Sequence, residues 1–138
     1  MNELQTRTFE SQQLQVERSA RDSLVVQIAA AQESAVRLIE MRMHMHERDF
    51  DRQHDLSFRY RAEFEANMTE EQYEKLKRMV DHRNKARESV DCLSKVALDI
   101  SLAEFQSVME VREFLAEGIK AVYEKLDQAY PGTLKQIL

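Results

Sequence analysis

Apolar residues in this chain recur at steps of three, four or seven over three segments, the spacing that lines one face of an α-helix. The most regular stripe lies near the C-terminus: Phe105, Val108, Leu115, Ile119, Val122, Leu126 and Ala129 predict a helix over about 102–129. A second stripe, Tyr73, Leu76, Val80, Val90, Leu93 and Ala97, predicts a helix over about 70–98. Arg83 and Arg87 interrupt it, which points to a face that is partly buried or that meets acidic groups.

The first segment is less regular. Leu24, Ile28, Ala31, Ala35, Leu38 and Met45 hold the four-three spacing of a coiled-coil seam, and small alanines there allow a neighbouring helix to come close. Arg42, Asp49 and Arg52 then break the register, and Leu56, Tyr60 and Phe64 resume it on a rotated face. Residues 1–20 are mostly polar. A helical region over 3–66 is predicted, with a possible break near 46–56.

Local chemistry marks the boundaries. Thr69-Glu70-Glu71-Gln72 is a capping box, with Met68 and Tyr73 at the flanking staple positions. Ser101-Leu102-Ala103-Glu104, flanked by Ile100 and Phe105, reads as a second start. Ser107-Val108-Met109-Glu110 has the same pattern but sits inside the third stripe, so it is read as helix interior. Tyr130-Pro131-Gly132 ends the last helix and leaves 131–138 as a short tail.

An unbroken helix over 3–66 would be about 95 Å long, against about 42–44 Å for each of the other two. The shorter helices cannot cover the first from end to end. Either the first region breaks to give four helices, or its uncovered half pairs with another subunit. The polar N-terminal stretch has little reason to order alone, which favours self-association.

Composition narrows the class. Gly118, Gly132 and Pro131 are the only glycines and proline in 138 residues, far fewer than a many-stranded fold needs. The expected fold is all-α: one domain over 1–138, an elongated helical bundle with a long N-terminal region, two shorter C-terminal helices and coiled-coil character. Twenty basic and 25 acidic side chains are interleaved, without the basic arm that nucleic acid would require. Cys92 stands alone, so no internal disulfide forms, and it is expected as a small buried thiol. The N-terminus lacks the apolar core of a signal peptide and no apolar run could span a bilayer. A cytoplasmic protein without membrane insertion is expected.

Met68-Thr69-Glu70-Glu71-Gln72 resembles the Leu-Thr-x-x-Gln repeats of small periplasmic helical stress chaperones. Met replaces the leucine and one copy is present, so five residues of likeness assign no family.

Candidate chemistry is sparse. On a helix Glu40, His44, Glu47, Asp51 and either His54 or Asp55 share one face, and His44, Glu47, Asp51 and His54 are the candidate ligands for a divalent ion. Met41, Met43 and Met45 suit Cu(I) only in an extended strand; a helix scatters them. Lys75, Arg78, His82 and Lys85 form a basic stripe that could contact phosphate, but acidic neighbours surround it and a solvated face is the plainer reading. No glycine-rich loop, nucleophile elbow or zinc-protease motif occurs, so neither an enzyme nor a cofactor is expected. The expected function is a non-catalytic interaction module, an adaptor, secretion-type chaperone or assembly component, binding itself as a homodimer or larger and an unidentified protein. Its partner-facing candidates are Leu24, Ile28, Ala31, Ala35, Leu38, Leu56, Tyr60 and Phe64. The alternative is a metal- or ligand-responsive sensor built on the His/carboxylate face.

Overall fold

A computed structural model describes residues 2–133. It contains three helices: α1 over Glu3–Phe64, α2 over Glu70–Leu102 and α3 over Val108–Ala129, with no strand among the described residues. Of the tail expected over 131–138, residues 134–138 lie outside that range.

The first helix has no break near 46–56. That stretch holds no glycine or proline, and Glu47, Arg48, Arg52, Gln53 and Leu56 are good helix formers. An N-terminal box that the sequence reading passed over starts it. Asn2 Oδ1 accepts from the Gln5 N–H at 2.9 Å, and Gln5 Oε1 accepts from the Asn2 N–H at 3.2 Å. The Thr69 box starts α2 as predicted, with Thr69 Oγ1 accepting from the Gln72 N–H at 3.3 Å.

The predicted boundary between the second and third helices is displaced. Ser101 caps nothing: it lies inside α2, where its hydroxyl donates to the Ala97 carbonyl at 3.0 Å. Ser107 is the true cap, its Oγ accepting from the Glu110 N–H at 3.1 Å, while Glu110 Oε2 accepts from the Gln106 N–H at 2.7 Å. The reason is energetic. Ile100 is fully buried one turn beyond Val96 and Ala97, so ending α2 at 98 would release it. A cap contributes about 1 kcal/mol, whereas full burial of an isoleucine contributes about 2–3 kcal/mol.

The helices α1 and α2 form an antiparallel hairpin. Near its closed end Lys75 lies 5.3 Å over the Tyr60 ring. At its open end the Gln32 side-chain amide donates to the carbonyls of Ile100 and Ala103 at 2.9 and 3.0 Å. From Ser107, α3 turns back along this pair. A Cβ added at Gly118 would stand 2.7 Å from Val96 Cγ1, so the absent side chain is what lets α2 and α3 meet there. The core sits where all three overlap: Ala35 and Ile39 from α1, Leu93 and Ile100 from α2, Val111, Val122, Tyr123 and Leu126 from α3. Cys92 is half-buried beside it as a free thiol.

Candidate functional site

The predicted seam is divided between two environments. Ala35 is buried, and Ile28 and Ala31 are half-buried against the core, so these three face the chain's own bundle. In the single chain, then, these three expected partner contacts pack on its own core. Leu24 and Leu38, each 43% exposed, border a different stripe that runs along the outside of α1. That stripe includes Phe9, Val16, Met41 and Met45, of which Val16, Met41 and Met45 are 68%, 69% and 63% exposed. Phe9 and Val16 stand seven apart, as do Leu38 and Met45, with Leu24 fourteen before Leu38 and Met41 three and four from its neighbours, spacings expected of a helix face that meets another helix. The sequence reading merged the two stripes because they share the same four-three arithmetic.

At the hairpin's closed end, Leu56 is exposed while Tyr60 and Phe64 are half-buried and packed on each other, ring centroids 4.8 Å apart. Lys75 covers part of this aromatic pair. The exposed aromatics at that end are Phe58 and Tyr73.

The expected metal ligands are not gathered. His44 Nδ1 faces Glu47 Oε2 at 3.2 Å with both side chains exposed. His54 stacks on Phe50, ring centroids 5.8 Å apart, and Asp51 is exposed. Among the described residues no group of three or more His, Cys, Asp or Glu side chains could hold a metal ion. The helix does place these residues on one face, and α2 brings one further carboxylate, Asp91, to the groove beside Glu47 and Asp51. Across the groove beside Glu47 and Asp51 stands Arg87, a cation where a site would need a donor. Of the methionines, Met43 packs on the core while Met41 and Met45 face out, the scatter a helix imposes.

A polar cluster that the sequence reading treated as seam breakage lies at the centre of the bundle. The Tyr123 side chain is buried and its hydroxyl stands 3.3 Å from Arg42 Nη1 and 3.2 Å from His46 Nε2. The Arg42 guanidinium also sits over the Tyr123 ring, 5.7 Å from its centroid. These groups open onto a cleft of about 640 Å³ where α1 supplies Arg42, His46 and Asp49, and α2 supplies His82 and Lys85. Burial lowers the His46 pKa below the usual histidine value; Asp49 opposes this, and the positive charges of Lys85 and Arg42 add to it. Burial likewise lowers the Lys85 pKa, opposed by Asp127. Beside the cleft, the Tyr130 pKa is raised by burial, by the charge of Glu88 and its hydrogen bond, and by Asp81. The signal in the sequence was Arg42 and His46 themselves, two polar side chains four apart within an otherwise apolar face.

No described helix is long and apolar enough to cross a membrane. Comparison with protein-family models, with curated proteins and with solved structures finds no match for this chain.

Proposed function

We propose that this chain is a non-catalytic helical interaction module that self-associates through the outer face of α1. The observation that carries the reading is the bare N-terminal arm: every residue from Asn2 to Gln27 is exposed. Residues 3–27 of α1 therefore extend about 37 Å past the point where the bundle ends. A helical stretch with no tertiary partner is marginal in water, so its order calls for a surface to pack on. The exposed stripe from Phe9 to Met45 offers that surface, and it continues from the arm onto the bundle without interruption by the core face. A second copy of α1 is the occupant argued here, because the heptad spacing of Leu24, Leu38 and Met45 is the spacing a like helix would match. An adaptor, secretion-type chaperone or assembly component would turn the same face toward its protein partner.

The test is molar mass by light scattering across a concentration series. The native chain is expected to reach a multiple of its monomer mass, and Met41→Glu/Met45→Glu to shift the equilibrium to monomer with helicity unchanged by circular dichroism. A native chain that stays monomeric at millimolar concentration, or a variant with unchanged mass, would overturn the reading.

A further inference from the structure

Four basic side chains on α2 (Lys75, Arg78, His82 and Lys85) read in the sequence as a solvated stripe. The fold turns part of that stripe toward α1. His82 and Lys85 line the central cleft opposite Arg42 and His46, and Arg78 lines the adjoining groove with His82 and Lys85. Acidic side chains also face this space, Asp49 from α1 and Asp81 from α2, and the charge of Asp127 from α3 acts on Lys85. The half-buried Arg42 guanidinium is the exception to this balance. Among the described residues it forms no ion pair with a carboxylate; its recorded polar contact is the Tyr123 hydroxyl. A guanidinium presents five N–H donors in a planar fork, and one donor to one hydroxyl leaves that fork open to the cleft.

We propose that the cleft is a binding site for a small oxyanion, a carboxylate or a tetrahedral phosphate- or sulfate-type group, held by Arg42, the protonated imidazole of His46 and the Tyr123 hydroxyl. With His46 neutral, the three groups close on themselves. Arg42 donates to the tyrosine oxygen, and the tyrosine O–H donates to His46 Nε2. When His46 takes a proton, Nε2 becomes a donor and can no longer accept. The tyrosine oxygen then accepts from both neighbours and its own proton needs a new acceptor. The cleft is where such an acceptor fits, so one protonation event adds a positive charge and frees an O–H toward the same space. Lys85, His82 and Asp127 set the local field, and Asp49 is the anionic group with which a ligand competes. Because the oxyanion favours protonated His46, its binding must raise the His46 midpoint, and affinity must rise as pH falls through the histidine range.

The experiment uses the whole chain and sulfate, whose charge is constant across the range, with chloride holding ionic strength fixed. Calorimetric titration is expected to show sulfate binding at least about tenfold tighter near pH 5.5 than near pH 8, and histidine-ring NMR to show sulfate moving the His46 midpoint upward. Arg42→Gln is expected to abolish the midpoint shift, and Arg42→Lys to retain part of it. His46→Gln, which keeps a neutral hydrogen-bonding group beside Tyr123, is expected to leave weak sulfate binding with no pH dependence; it also decides the matter if Arg42→Gln fails to fold. A parallel titration with propionate separates the two sources: tighter propionate binding assigns a carboxylate ligand, tighter sulfate binding a tetrahedral oxyanion. No sulfate or propionate binding near pH 5.5, equal binding in native chain and Arg42→Gln, or a His46 midpoint indifferent to both anions would overturn the proposal.

Discussion

The disputed start of α3 can be settled by two serines six residues apart. In Ser107→Ala the Glu110 N–H loses its acceptor, which now stands at 3.1 Å. Replacing a capping serine by alanine costs about 1 kcal/mol. Glu110 would still hold the Gln106 N–H, so the loss is confined to one donor. Ser101→Ala acts in the opposite direction. That hydroxyl is exposed and bonds the carbonyl four residues back, a contact that water replaces at little cost. Alanine is the better helix former by about 0.5 kcal/mol, so the variant should gain a few tenths. The two variants are thus expected to differ by about 1.3 kcal/mol, the cap loss added to the few tenths gained. Urea unfolding followed by far-ultraviolet circular dichroism would read this as a midpoint separation of about 0.7 M, for a slope of about 2 kcal/mol per molar. Protein concentration must be held fixed, because self-association would add to apparent stability. A destabilised Ser101→Ala beside a silent Ser107→Ala would refute the reasoning and return the helix start to 102.

Three further outcomes follow from named contacts. Compared at a concentration dilute enough that the chain is monomeric, Ile28→Asp should lower stability by about 1–3 kcal/mol, since it places a charge against the core, whereas Met41→Glu should stay within about 0.5 kcal/mol because its side chain is exposed in the single chain; equal unfolding midpoints for the two would place Ile28 outside the core. Gly118→Ala should destabilise by about 1–2 kcal/mol, the overpacking against Val96 exceeding the gain in helix propensity, and Val96→Ala in the same chain should recover most of it, as a double-mutant cycle by denaturation would show. For His46 the folded pKa lies below the unfolded value, so the unfolded chain binds the extra proton. Stability should therefore be full above about pH 6.5 and fall as pH drops through the unfolded and then the folded midpoint; His46→Gln should flatten that part of the pH–stability curve, and an unaltered curve would remove His46 as its source.

The fold class and the identity of the three helices were legible because glycine and proline are absent before Gly118 and because the Thr69 box and the Tyr130-Pro131-Gly132 stop are local signals. The α2–α3 boundary was not legible. Two boxes of the same form lie six residues apart, and only the burial of Ile100, a tertiary fact, decides between them. The Arg42–His46–Tyr123 cluster was equally hidden, since it joins residues 77 and 81 apart in the chain.

The divided seam has a geometric origin. A heptad line drifts by about 20° per repeat on a straight α-helix, so a stripe held for three repeats turns about 60° away from its starting face. An eleven-residue repeat, about 3.67 residues per turn, drifts by about 20° in the opposite sense over its longer span, so it turns more slowly per residue. The inward residues of α1 follow that longer period: Ile28, Ile39 and Phe50 on one line, Ala35, His46 and Ser57 on a second, Ala31, Arg42, Gln53 and Phe64 on a third. Each of these is buried or half-buried. The seven-residue line from Leu24 through Ala31 and Leu38 to Met45 instead moves outward: Ala31 is half-buried, Leu38 is 43% exposed and Met45 63%. The eleven-residue lines pass from apolar to polar as they leave the core, through Arg42, His46, Gln53 and Ser57, and they return to apolar at Phe64. Residues that break a heptad are therefore in register with the bundle, and the polar middle of those lines is what forms the α1 wall of the cleft. One helix thus carries two periods with separate consequences: the shorter leaves an outer stripe for a second helix, and the longer delivers charged side chains to the interior.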